Sequence, residues 1–180
     1  MKRLTLLRHA KSGDDPTATR DFDRALNAKG RRAARAIGAH LKAEGFAFDH
    51  AVASPAVRVT ETVEEAGRGF GAALDPAWDR RLYLAPAATL LDVVQETPDD
   101  FESLLIVAHN PGLEELVLTL VPDRDEDLMR DLVEEKYPTA SVAEMLFEGD
   151  SWADVRAGRG RLSRFIRPRD IDPALGPDVG

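Results

Sequence analysis

Cysteine is absent from this 180-residue chain. Its absence excludes a disulfide framework, thiolate-bound zinc, iron–sulfur ligation and a cysteine nucleophile. Long apolar runs are missing as well. None approaches the roughly 20 residues needed to span a bilayer. The opening Leu4–Leu7 stretch is cut by Arg8 and Lys11 and is too short for a signal-peptide core. A cytoplasmic protein with no membrane partner is therefore expected. Basic residues are in deficit, 24 Lys and Arg against 32 Asp and Glu for a net charge of −8. That balance argues against nucleic acid, whose binding usually needs a basic face. Histidines number only four, with no His-x-His or His-x-x-x-His pair, so neither a metal nor another cofactor is expected.

With 43% hydrophobic and 31% charged residues, the composition is that of an ordinary globular domain. The length suits one domain that buries about 70% of the surface an unfolded chain exposes. The charge is unevenly spread. Residues 1–60 hold 12 basic and 6 acidic side chains, a net of +6, whereas residues 61–180 hold 12 and 26, a net of −14. A positive pole on an acidic protein can focus an anionic substrate.

Short apolar runs alternate with helical patterns. Lys2–Leu7, His50–Ala53, Arg81–Leu84, Ser103–Ala108, Val142–Phe147 and Arg161–Ile166 read as strands, and Ser103–Ala108 is apolar enough to be central. Asn27 caps a predicted helix reaching about Glu44, with Gly45 as its stop. Ser54 as N-cap and Pro55 at the first helical position predict a second helix toward Gly67–Gly71. Further helices are expected over 86–96 and 113–121. The acidic stretch Asp123–Glu135 reads as a solvated face. Trp78, Trp152, Phe165 and Tyr137 read as core or edge packing, and Gly67, Gly69 and Gly71 as helix termination. The expected fold is a three-layer α/β/α sandwich around a mostly parallel sheet, with late strands antiparallel at one edge. Residues 1–167 form the domain, and a loosely ordered tail covers 168–180.

His9 and His109 each follow an apolar strand directly, where open α/β sheets bind ligands. Ser54-Pro55-Ala56-Val57-Arg58 also lies at a strand end. There Arg58 can lean toward a helix N-terminus that favours an anion, or instead pair along the helix with Glu61 or Thr62. Arg8, His9, Arg58 and His109 supply two guanidiniums and two imidazoles. That set suits a tetrahedral dianion, with forked donors for its oxygens and a neutral imidazole as nucleophile.

These residues carry a resemblance. Leu7-Arg8-His9-Ala10 resembles the Arg-His-Gly signature of the histidine phosphatase superfamily, with Ala10 in the glycine place. Ser54-Pro55-x-x-Arg58-x-x-x-Thr62 is similar to its second motif, and Ala108-His109-Asn110 to its late strand-end histidine. Asp21-x-x-Arg24-x-Leu26-x-x-x-Gly30 and the short chain resemble the SixA-type phosphohistidine phosphatases. The resemblance implies that His9 takes the phosphoryl group while Arg8, Arg58 and His109 hold its oxygens. It adds Arg24 as a phosphate contact, and Asp21 and Ser54 are taken as further substrate-binding candidates. It also implies a phosphorylated histidine protein of a phosphorelay or phosphotransfer system as partner.

One departure bears on the substrate. Larger superfamily members carry a carboxylic acid shortly after the third strand. Here that stretch is Leu82-Tyr83-Leu84-Ala85-Pro86, with no carboxylate, so Asp21 and Asp23 are the remaining candidates. An alkoxide leaving group needs a proton donor, its conjugate acid having a pKa near that of water at about 15.7. An imidazole, with a pKa of about 6.5, departs once solvent protonates it. The sequence thus favours a phosphohistidine phosphatase over a phosphatase for small phosphomonoesters or a non-catalytic phosphoprotein-binding module.

Overall fold

The computed structural model describes residues 1–13 and 16–177. Six strands form one sheet in the order β3-β2-β4-β1-β5-β6. They are β1 (Lys2–Arg8), β2 (His50–Ala53), β3 (Ala77–Trp78), β4 (Ser103–Ala108), β5 (Val142–Phe147) and β6 (Arg161–Ile166). The first four are mutually parallel, while β5 runs antiparallel to both β1 and β6. The reversed strand expected at the edge is β5, one place in, and the edge strand β6 runs in the direction of the first four.

Period-two alternation sends side chains to two separate cores. Leu7, Leu105 and Val107 meet α1 (Ala28–Ala43) and α2 (Val57–Phe70) on one face. Leu4, Leu6, Leu104 and Ile106 meet α3 (Ala87–Gln95), α4 (Gly112–Leu120) and Val133 of α5 (Leu128–Glu135) on the other. Both faces are covered, which is why β4 reads as an unbroken apolar run. Helix α1 begins as expected: the Asn27 side chain accepts the Gly30 N–H at 2.8 Å. Gly30 is required, because a Cβ there would run into the Lys11 carbonyl. A Cβ on Gly38 would strike the Ala66 carbonyl, and one on Gly69 the Arg35 carbonyl, so α1 and α2 touch backbone to backbone.

Several expectations are corrected. Ser54 is not the cap of α2, which starts at Val57 with Ala56 as N-cap. The Ser54 hydroxyl is held by His109 and accepts the Ala56 N–H at 3.3 Å, and the helix begins only after Ala56. Arg81–Leu84 is not a strand. The Asp79 carboxylate accepts the Arg81 N–H at 2.9 Å and starts a 3-10 turn over Arg80–Leu82, and the paired strand lies earlier, at Ala77–Trp78. Gly67 and Gly69 lie inside α2, and Gly71 alone, at φ 84°, terminates it. The acidic stretch contains α5, capped by Asp127, with Arg130 and Val133 buried. Trp152 and Tyr137 are core residues, Phe165 packs beside Tyr137, and Trp78 is half exposed on the edge strand. The tail is ordered over its described part. Helix α6 (Pro168–Ile171) and a 3-10 turn at Pro173–Leu175 lie against α1, where Lys29 donates to the Gly176 carbonyl. The rest of the tail, 178–180, lies outside the described residues.

Candidate active site

Parallel register places three motifs at one edge. Arg8 pairs with Ala108, and Ala53 with Val107, so β1, β2 and β4 end together. The residues that follow them continue the ladder: His9 N–H donates to the Ala108 carbonyl at 3.1 Å and Ser54 N–H to the Val107 carbonyl at 3.0 Å. His9 and His109 then lie with ring centroids 5.3 Å apart, and both are buried.

A single hydroxyl joins the first two motifs. Thr62 Oγ1 accepts the Ala10 N–H at 2.9 Å and donates to the Arg58 carbonyl at 2.6 Å. Glu61 is also taken, accepting the Leu26 N–H at 2.8 Å and pairing with Arg31 at 3.0 Å. Neither residue engages the Arg58 guanidinium, which turns to the site. Arg58 donates to the Asp21 carbonyl at 2.8 Å and to its carboxylate at 2.9 Å.

His9 Nδ1 lies 2.7 Å from the Ala10 carbonyl. A carbonyl only accepts, so Nδ1 carries the proton and the Nε2 lone pair remains for attack. Burial, aided by Arg8, His109 and Arg58, pushes the His9 pKa down to about 3, against the opposing Ala10 hydrogen bond. His109 is lowered to about 4 by burial and then by Arg58 and Arg8, with Asp21 opposing. Both imidazoles are neutral near pH 7. His109 Nε2 meets Ser54 Oγ at 2.8 Å. A hydroxyl oxygen accepts two hydrogen bonds, so beside the Ala56 N–H it can either accept from Nε2–H or donate to Nε2. Arg8 Nη1 donates to the Tyr137 carbonyl at 2.8 Å, and burial lowers the Arg8 pKa. Arg8 Nε and His109 Nδ1 are buried without a hydrogen-bond partner. Such polar groups cost about 1–3 kcal/mol each when unmet, and a phosphoryl oxygen is a suitable acceptor for the Arg8 Nε–H.

Asp21 is the anion of the cluster. Its carboxylate accepts from the Tyr83 hydroxyl at 2.6 Å, from Arg58, and from Arg24 at 3.0 Å. The Tyr83 hydrogen bond, then those of Arg58 and Arg24, hold it far below the ordinary carboxylate range despite partial desolvation. Arg24 stands one step out, tied to Asp21 and to Ser12 Oγ at 2.9 Å. Asp23 is turned away into an exposed pair with Arg20 at 2.8 Å.

The structure thus brings together Arg8, His9, Ser54, Arg58, His109 and Asp21, with Arg24 reaching them through Asp21. Sequence reasoning missed Tyr83, which packs edge-on against His109 at 5.4 Å and against Phe22 at 5.0 Å. Its position in the carboxylate-free stretch was the available signal. Also missed was Glu114 in the first turn of α4, a half-buried carboxyl raised by burial and opposed by the nearby Arg8. Nothing in its local sequence marks it. Among the described residues no three His, Asp or Glu side chains are grouped to hold a metal ion. No helix there is long and apolar enough to cross a membrane.

Comparison with known proteins agrees with this geometry. The sequence profile of the histidine phosphatase superfamily (branch 1) matches residues 4–83. The uncharacterized Mycobacterium tuberculosis protein Rv1276c is 32% identical over 164 residues, covering 91% of this chain and 100% of that protein. A candidate phosphohistidine phosphatase SixA from Nakamurella multipartitia superposes with a TM-score of 0.80 at 27% identity, over 93% of this chain and 96% of that one. A second candidate SixA, from Agrobacterium tumefaciens, gives 0.77 at 28% identity, over 93% and 98%. The chain belongs to the histidine phosphatase superfamily and is a phosphatase of the SixA type.

Proposed function

We propose that this phosphatase removes the phosphoryl group from phosphohistidine on a protein of a phosphorelay or phosphotransfer system. His9 Nε2 attacks phosphorus, and the phosphorus–nitrogen bond to the substrate imidazole breaks. Solvent protonates the departing nitrogen. Water then hydrolyses phospho-His9, releasing orthophosphate and restoring His9. During transfer, charge spreads over the equatorial oxygens, where Arg8, Arg58 and His109 would meet it.

The observation that carries the choice of substrate is the state of Asp21. Hydrogen bonds from Tyr83, Arg58 and Arg24 keep it ionised, so it has no proton to give an alkoxide. An imidazole leaving group needs none from the enzyme. The candidate SixA proteins from Nakamurella and Agrobacterium add support by likeness.

A second reading, hydrolysis of small phosphomonoesters, is favoured by Glu114, whose raised pKa suits a proton donor. One set of assays separates the two. Turnover of a phosphohistidine protein is compared with that of sugar and nucleotide phosphates, in the native chain and in Glu114→Gln. The proposal expects higher kcat/KM on phosphohistidine and no loss in the variant. Higher efficiency on alkyl phosphates, abolished by Glu114→Gln, would overturn it. Rapid quenching with labelled substrate tests the covalent step: label should appear on His9 and vanish in a folded His9→Ala. Continued turnover with His9 never labelled refutes the step.

A further inference from the structure

Phe22 is the one apolar residue of the Asp21–Asp23 turn. With Tyr83 it lines an open recess of about 400 Å³, whose remaining walls are Asp21, Arg20 and Arg80. The recess adjoins the reacting groups through two of those residues. Tyr83 packs edge-on against His109 at 5.4 Å, and Asp21 receives Arg58 at 2.9 Å. Both rings rest against the core that contains Leu7, Leu26 and Val59, yet both are only half-buried. They meet at 73° with centroids 5.0 Å apart, the edge-to-face arrangement that aromatic pairs favour. Hydrogen-bonding capacity around them is largely taken up. The Tyr83 hydroxyl gives its hydrogen to Asp21, whose carboxylate also accepts from Arg58 and Arg24. Arg20 is engaged by Asp23 at 2.8 Å, with its guanidinium 5.7 Å from the Phe22 ring centroid. A sugar or glycerol entering here carries hydroxyls that lose water and find few partners, which is unfavourable. A flat ring needs few partners and gains by packing on aromatic faces and edges.

We propose that this recess is the leaving-group subsite, which takes a planar aromatic ring bonded to the transferred phosphoryl group. Its role rests on the reading given above, in which that group sits at His9. Phe22 then acts as a specificity residue. It meets the ring and not the phosphoryl oxygens, so it sets the preference for ring-bearing over ringless substrates and takes no part in the transfer itself.

Two sources carry such a ring, the imidazole of phosphohistidine and the phenol of an aryl phosphate. The test uses Phe22→Ala and Phe22→Leu, which both remove the ring, the second keeping apolar bulk for folding. Phe22→Tyr keeps a ring, and thermal melting checks that each variant is folded. Calorimetry compares phenylphosphonate with methylphosphonate, which share the anionic group and differ in the ring. The native chain and Phe22→Tyr should bind phenylphosphonate about tenfold more tightly, and the two ringless variants should bring that ratio to about threefold or less. No preference in the native chain, or one that stays near tenfold in both ringless variants, overturns the proposal. Ratios of kcat/KM then separate the sources. Phosphoimidazole is compared with phosphoramidate, both of which break a phosphorus–nitrogen bond, and phenyl phosphate with methyl phosphate. A fall in the first ratio on removing the ring, alone or with the second, assigns the subsite to phosphohistidine. A fall confined to the second assigns it to an aryl ester. No change in either refutes the subsite. Binding of the phosphonates needs no turnover, so the recess stands or falls separately from phosphohistidine as the substrate.

Discussion

Acid should destabilise this protein by an amount that two residues set. His9 and His109 are neutral in the native state, with pKa values of about 3 and about 4 against 6.5 for the free side chain. A depressed native pKa means that the unfolded chain binds more protons wherever the pH lies between the two values. Stability is therefore full above about pH 6.5 and is lost as the pH falls toward the native values. At pH 5 each unfolded histidine is about 1.5 pH units below its pKa, worth about 2 kcal/mol, while the native ones stay essentially unprotonated. The pair should cost about 4 kcal/mol between pH 8 and pH 5, a large part of the 5–15 kcal/mol typical of a domain. Carboxylates add little in that window, because their unfolded forms take up protons mainly below it. The assay is urea unfolding at pH 8 and pH 5 for the native chain and for His109→Gln. The variant should lose about 2 kcal/mol less than the native chain over the same interval, and differencing the two cancels His40 and His50. Equal pH dependence in the two proteins would show that His109 is not held neutral by its surroundings.

Three further outcomes follow from the same geometry. Thr62→Val strands the Ala10 N–H and frees the Arg58 carbonyl, so urea unfolding should show a loss of about 1–3 kcal/mol, with kcat reduced because His9 and Arg58 lose their shared anchor; an unaltered kcat would argue against that anchoring. Asp21→Asn removes the charge that competes with phosphate for Arg58 and Arg24, so the inhibition constant for orthophosphate should fall about fivefold, near 1 kcal/mol; a rise would mean that Asp21 helps to hold the ligand. The pH profile of kcat/KM, which reports on the free enzyme, should show no acidic limb near 6.5 from His9, since that imidazole stays neutral down to about pH 3; a limb at 6.5 that disappears in a chemically rescued His9 variant would contradict the burial argument.

Much of this site was legible because strands end where motifs begin. Leu4–Leu7 and Ser103–Ala108 are apolar runs closed by Arg8-His9 and His109, and parallel pairing converts those two sequence positions into neighbours. The α1 cap was readable from Asn27 because a cap is local chemistry. What failed depended on partners distant in sequence. Ser54 looks like a cap, yet its hydroxyl is taken by His109, 55 residues on. Gly67 and Gly69 resemble a helix stop, yet Gly69 is set by the Arg35 carbonyl of another helix. Tyr83 sits in a stretch notable for lacking a carboxylate, and only folding brings it to Asp21, 62 residues away. Arg81–Leu84 has a strand-like alternation that the Asp79 cap overrides.

The backbone contact between α1 and α2 has a mechanical consequence. Helices separated by side chains can slide by repacking rotamers, but here Gly38 and Gly69 leave carbonyls of the neighbouring helix where methyl groups would lie. That crossing has no soft layer. Helix α2 carries Arg58 at its start, so one wall of the candidate site is a stiff abutment. Arg58 meets the Asp21–Asp23 turn, which has no buried residue and is held by polar side-chain contacts. On the reading proposed above, adjustment to a protein substrate falls to that turn, while α2 holds Arg58 in place.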